Sequence, residues 1–274
     1  MSRLEIVRGA LTDCFRNGRL WLIQFFANPI LLGLFVAWLF IPVASNWHLV
    51  YNFVFACVLF VVAFALHGGT LNYFGDLQRS QGAECWPAFR RAMGHVIPII
   101  ICVVVFCGLW LLVGKLEVYQ SNLPAYVRSV LPVSLRRHIT LPTLDTLFSG
   151  VLFVARWILI PGLLLPLVAQ GADRGFRGFG VHGLSAWRKT IFSFAYWLVI
   201  TFAALLGVLA TQKLMAWTPD FKTSTTHSEA VSLAWRLCIA YMFGLFSWML
   251  ACSVVGRNAA AAGGLSDVAG NSGA

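Results

Sequence analysis

Six apolar runs, each close to the length of a bilayer crossing, dominate the chain: Leu20 to Val43, His48 to Leu66, Val96 to Gly114, Leu147 to Ala169, Ile191 to Gln212 and Val231 to Val255. About 20 helical residues rising 1.5 Å each cover the roughly 30 Å of hydrocarbon in a membrane, so a chain built this way needs lipid as its solvent. Charged residues make up 11% of the 274, against about 25% in a soluble domain, and the mean hydropathy is +0.79. The runs are continuous rather than alternating, which excludes transmembrane strands. The expected fold is all-α and polytopic with about six transmembrane helices. Residues 1–257 would form a single membrane domain, and 258–274, small and polar, a disordered tail.

The amino-terminal segment reads as part of the mature protein. Basic residues spread over Met1 to Arg19, and the run that follows is 24 residues long with no small-residue cleavage site behind it, which suits an anchor. Placing that end in the cytoplasm puts Arg3, Arg8, Arg16, Arg19, Arg79, Arg90, Arg91, Arg174, Arg177, Arg188, Lys189 and Arg257 inside. Lys115, Arg128, Arg136, Arg137, Lys213 and Lys222 then lie outside. Twice as many cations fall on the inner side, so both termini are expected in the cytoplasm. The segment Lys115 to Thr146 runs against that pattern, being as basic as a cytoplasmic loop. The net charge of +10 does not call for nucleic acid, because the cations flank membrane spans, where the positive-inside rule and anionic lipid head groups account for them.

One motif recurs. Arg79, Gly82, Phe89, Arg90 and Arg91 share their spacing with Arg177, Gly180, Trp187, Arg188 and Lys189, so R-x-x-G-x6-[FW]-R-[RK] occurs twice, 98 residues apart. Each copy leads straight into a span, and a shortened form, Phe15 and Arg16, precedes the first span. The chain is therefore expected to consist of three two-helix hairpins. Glycine permits the reversal after a span, the aromatic ring sits at head-group level, and the paired cations reach phosphates. That chemistry anchors the next helix. The sharper alternative is a cytoplasmic site for an anionic head group or for a soluble protein partner. Ahead of the first span, Leu4, Val7, Leu11 and Cys14 recur at i, i+3, i+7 and i+10. This pattern would lay Arg3 to Phe15 on the inner leaflet as an amphipathic helix, with Arg8 and Arg16 toward water.

Two ionisable side chains fall inside the runs. Arg236 lies about 7.5 Å from the outer edge of the sixth, within reach of the interface. Arg156 lies about 13.5 Å into the fourth, where an arginine costs about 2.5–3.5 kcal/mol. No Asp or Glu falls inside any run. Asn28 lies at a similar depth in the first, and Pro29 frees the carbonyl of Phe25. Arg156 is thus expected to face the bundle interior and to donate to Asn28 or to freed carbonyls near Phe25 or Pro161. It would serve either as a tie between spans one and four or as a cation for an anionic lipid or solute. Pro161 and Pro166 make the fourth span the one expected to kink.

Catalytic signatures are missing. The sequence holds no H-E-x-x-H, no P-loop and no G-x-S-x-G, and no two of its six histidines lie three or four residues apart. No cofactor, metal site or catalytic residue is expected. The seven cysteines include no C-x-x-C pair and read as small apolar packing residues, with reversible acylation of Cys14 or Cys85 as the alternative.

Asp76 and Arg79 in D-x-x-R ahead of W-P-A-F-R-R, then R-W-I-L-I-P-G-L-L-L-P followed by a glycine-rich loop and S-A-W-R-K, form a familiar pattern. It resembles the membrane domain that precedes some bacterial glycerophosphodiester phosphodiesterases, and related stand-alone membrane proteins of unknown function. The likeness covers roughly residues 10 to 255 and implies a bacterial inner-membrane location. None of these residues forms a phosphodiesterase domain, so that activity is not implied. The expected function is a non-catalytic scaffold or lipid-associated accessory protein. The first alternative is a transporter or lipid-translocating protein using Arg156, and the second a membrane-embedded enzyme.

Overall fold

The computed structural model describes residues 3–42, 44–79, 83–120, 122–217 and 226–271, and among them every regular element is helical. A short helix followed by two long ones occurs three times in chain order. α1 (Arg3–Arg16) leads into α2 (Gly18–Leu39) and α3 (Asn46–Gln78). α4 (Cys85–Gly94) leads into α5 (Val96–Glu117). After two small helices, α6 (Leu123–Val130) and α7 (Val133–Arg136), comes a composite span. It joins α8 (Leu141–Phe153), a π-helical turn over Val154–Leu159 and α9 (Ile160–Arg174). α10 (Val181–Ile191) leads into α11 (Phe194–Ala204), which passes through a second π-helical turn, Leu205–Ala210, into α12 (Thr211–Ala216). The last helix is α13 (Thr226–Asn271). Six of these stretches are long and apolar enough to cross a membrane, so the chain is a polytopic membrane protein.

The breaks between short and long helices have local causes. Asn17 separates α1 from α2; its amide donates to the Asp13 carbonyl at 2.5 Å, and its oxygen accepts from the Tyr73 hydroxyl at 2.8 Å. Ser193 caps α11 by accepting from the amide of Tyr196, which moves the start of the fifth span from Ile191 to Phe194. Gly175 ends α9 at φ +62°, a conformation that other residues reach only with strain.

Prolines inside the spans are compensated from neighbouring helices. Pro29 cannot donate to the carbonyl of Phe25, and the Tyr241 hydroxyl of α13 donates there instead at 2.8 Å. Pro166 likewise leaves the carbonyl of Gly162 open, and the buried Tyr196 of α11 donates to it at 2.6 Å. In the same interior layer, Gln24 donates to Thr70 and Asn28 donates back to Gln24, so α2 presents its polar side chains to α3 and α13. In hydrocarbon, where water is absent, such partners decide whether a broken ladder is tolerable.

Packing is uneven along the bundle. The first half of α3 is mostly exposed, while Ala65 to Asp76 is buried almost without interruption against α4, α9 and α13. The apolar run ends at Leu66, yet the helix continues to Gln78, because protein contacts hold Gly68, Gly69, Thr70 and Asn72 where hydropathy alone would end a span. Glycine makes the closest approaches. A Cβ on Gly256 of α13 would lie 2.7 Å from the backbone of Phe74, and one on Gly69 would overlap Phe89. α1 packs one face against this end. Ala10 and Cys14 are fully buried, and Ser253 of α13 donates to the Ala10 carbonyl at 3.1 Å. Arg8 and Arg16 are exposed as expected. The tail expected to be disordered from 258 is instead helical to Asn271, in keeping with the high helix propensity of Ala259 to Ala262.

Candidate functional site

The end of the bundle that gathers α1, α4, α10 and the cytoplasm-type cations is organised by carboxylates. Asp76 and Arg79 close α3, Arg91 extends from α4, and Asp173 sits at the end of α9. Arg79 reaches Asp173 at 2.6 Å and approaches Asp76 at 3.6 Å. Arg91 bridges the two acids, bonding Asp76 through both terminal nitrogens and Asp173 at 2.7 Å. The carboxylates are about 10% exposed and the arginines about 30%, so the negative charges are inside and the cations cover them. Burial works against the Arg91 charge, but its bonds to Asp76 and the nearness of both carboxylates outweigh that and raise its pKa above the usual guanidinium value. Beneath the cluster, Asn72 donates to the carbonyls of Ala88 and Ala172, and His95 Nδ1 donates to Ala172 at 3.0 Å.

A second cluster ties the chain ends together. Asp13 of α1 accepts from Gln78 at 2.6 Å and from Arg257 Nε at 2.7 Å. The guanidinium of Arg257 lies over Gly9, where a Cβ would meet it at 2.2 Å. The three structural aspartates escaped the sequence reading as a set, although each precedes an arginine by three or four residues: Asp13 and Arg16, Asp76 and Arg79, Asp173 and Arg177.

These clusters divide the recurring motif into two kinds of cation. In the first copy, Arg79 and Arg91 are consumed by Asp76 and Asp173, and Phe89 is packed against Gly69, leaving Arg90 exposed. Gly82 lies outside the described residues. In the second copy Arg177, Arg188 and Lys189 are all exposed, and the Trp187 indole is turned inward to donate to the Leu163 carbonyl at 2.7 Å. Arg174 and Arg177 border a groove of about 530 Å³, with His95, Val96 and the exposed Phe176 in its walls. The head-group residues named from sequence therefore share one end of the bundle without forming one contiguous patch.

Arg156 departs from its expected role. It sits in the π-helical turn and bonds Glu117, with its guanidinium carbon 3.5 Å from the centre of the Trp110 ring. Trp110, Gly114 and Glu117 follow one face of α5, so the side chain lies along that helix toward its end. The composite span begins at Leu141, ahead of the apolar run at Leu147, and the partner carboxylate is the last residue of α5 just past the run ending at Gly114. The expected contact with Asn28 is replaced by the Asn28–Gln24 pair, and the Phe25 carbonyl is taken by Tyr241. Arg156 lines neither the basic groove nor the half-open apolar cleft between α3, α5, α9 and α13. Arg236 donates to the carbonyls of Met215 and Trp217, capping the end of α12 and so spending its charge on a helix terminus.

Among the described residues no group of three or more His, Cys, Asp and Glu is placed to hold a metal ion. No family model, curated protein or solved structure matches the chain.

Proposed function

We propose that the protein is a non-catalytic accessory or scaffold protein of a bacterial inner membrane that holds anionic lipid head groups at its basic, cytoplasmic end. One observation carries this reading: the carboxylates at that end neutralise Arg79 and Arg91, while Arg174 and Arg177 remain exposed beside a groove floored by the α4–α5 junction and Arg188 is exposed on α10. Arg174 still approaches Asp173 at 3.7 Å but is half exposed, so its charge is available outward. Exposed Trp86, Phe176 and Phe192 accompany these cations, a combination suited to the head-group layer of an anionic leaflet. The pairing of Arg156 with Glu117 supports a structural tie for that residue in place of a substrate-facing cation.

The test is lipid retention by the purified full chain. Native mass spectrometry should detect phosphatidylglycerol bound in preference to phosphatidylcholine, and the preference should fall several-fold in Arg174→Gln/Arg177→Gln. Lys213→Gln, at the opposite end, should leave it unchanged. Equal retention of both lipids by the unaltered chain would defeat the reading.

A further inference from the structure

The groove at the basic end displays, besides its arginines, an acceptor held in a fixed tautomer. His95 Nδ1 lies 3.0 Å from the carbonyl of Ala172, which can only accept, so that nitrogen carries the proton. In the neutral ring Nε2 is then an acceptor. Among the described residues Nε2 has no hydrogen-bond partner, and it is not one of the enclosed unpaired atoms of the chain. Its edge of the ring rests on Gly175, where a Cβ would stand 2.9 Å from Cδ2 and 3.2 Å from Nε2. His95 and Gly175 both line the groove, so this acceptor stands beside Arg174 and Arg177.

The three side chains select among anions. Arg174 and Arg177 suit a phosphodiester, whose oxygens accept from guanidinium donors. Asp173 is already shared by Arg79 and Arg91, and among the described residues no acidic side chain lines the groove. A neutral His95 needs a donor. An ammonium group is repelled by two neighbouring guanidiniums, whereas a hydroxyl donates without carrying charge. The groove also has an apolar exit. Exposed Ile97 in its wall is followed by exposed Ile101 and Val104 at i+4 and i+7, a stripe that runs down one face of α5. That stripe suits an acyl chain and favours a lipid over a free phosphodiester.

We propose that this groove selects a hydroxyl-bearing anionic phospholipid of the phosphatidylglycerol class. The phosphodiester lies between Arg174 and Arg177, a head-group hydroxyl donates to His95 Nε2, and an acyl chain follows Ile97, Ile101 and Val104. This assignment rests on the reading of the basic end as a head-group site and adds which head group it takes. Charge alone would draw any anionic lipid to two arginines, and His95 supplies the discrimination among them.

Phosphatidylethanol has the charge and chains of phosphatidylglycerol but no free hydroxyl, so competition between the two isolates the His95 bond. Native mass spectrometry of the full chain is run with equal amounts of dioleoyl phosphatidylglycerol, phosphatidylethanol and phosphatidylcholine. Phosphatidylglycerol should be retained about three- to tenfold over phosphatidylethanol, the range set by one hydrogen bond. In His95→Leu that preference should vanish while both anionic lipids stay ahead of phosphatidylcholine. The Ala172 carbonyl keeps its bond from Asn72 in that variant, which limits the effect on folding. Should the variant fail to fold, the competition on the unaltered chain decides. Arg177→Gln should weaken both anionic lipids together, and Lys213→Gln neither. Equal retention of the two anionic lipids above phosphatidylcholine, or a preference that persists in His95→Leu, would overturn the choice of head group alone. No preference over phosphatidylcholine would overturn the head-group site itself. Displacement of phosphatidylglycerol by an equal concentration of soluble glycerophosphoglycerol would give the groove to a free phosphodiester and overturn the lipid assignment.

Discussion

The Tyr241 hydroxyl sits 2.8 Å from the carbonyl of Phe25, the one backbone acceptor that Pro29 removes from the α2 ladder. A defect in one helix is thereby converted into a bond between the first span and the last. Tyr241→Phe should lower the stability of the detergent-solubilised protein by about 1–2 kcal/mol, the usual cost of a lost hydrogen bond with its acceptor left unpaired. In a Pro29→Ala background the same change should cost much less, because residue 29 then supplies its own amide. Thermal or SDS titration of the four proteins gives the cycle, and equal losses in both backgrounds would contradict the assignment.

Arg91 joins Asp76 and Asp173, so its removal leaves two nearly buried carboxylates sharing Arg79, with the more distant Arg174 near Asp173 alone. Arg91→Met should destabilise by on the order of 2 kcal/mol, whereas Arg90→Met, one residue away and exposed, should change stability by no more than about 0.5 kcal/mol. High salt should reduce the first effect only slightly, since screening acts weakly on covered pairs. Melting curves at low and high ionic strength measure both.

Gly256→Ala would place a methyl group 2.7 Å from the Phe74 backbone and should cost about 1–3 kcal/mol by forcing α13 off α3. Gly33→Ala and Gly108→Ala meet nothing within 4 Å and should be neutral or mildly stabilising. Unfolding midpoints of the three variants should separate into these two groups.

The cysteines should separate by reactivity. Cys14 is fully buried, and burial, reinforced by the Asp13 charge, pushes its thiol up to about 12, so almost no thiolate is present at neutral pH. A water-soluble maleimide applied to the folded protein should leave Cys14 and Cys252 unmodified while labelling the half-buried Cys85, and SDS should make all seven reactive. Labelling read by peptide mass spectrometry checks the order. Early labelling of Cys14 would contradict its burial.

The spans were legible in the sequence because hydropathy depends on composition, and composition is local. Their ends were less so. The run stops at Leu66 while α3 continues to Gln78, since the packing that holds Thr70 and Asn72 comes from residues as distant as Ala172. The same limit hid the site. Arg79, Arg90, Arg91, Arg177 and Arg188 were recognisable as a group by spacing, but their division into paired and exposed cations depends on Asp173, which is far from the first copy in sequence. Arg156 was recognised as anomalous from its position. Its partner was missed because Glu117 lies just beyond the boundary that the apolar run suggested.

The abrupt change at Ala65 divides α3 into two mutational regimes. Before it, most positions are exposed, and exchanging one lipophilic side chain for another should be tolerated there, Leu59 and its neighbours Phe55 and Ala63 excepted. From Ala65 to Asp76 each position is fixed by a specific neighbour, including glycines that admit no larger residue. A saturation library of this single helix should therefore give a permissive half and an intolerant half, with the border falling within one turn of His67.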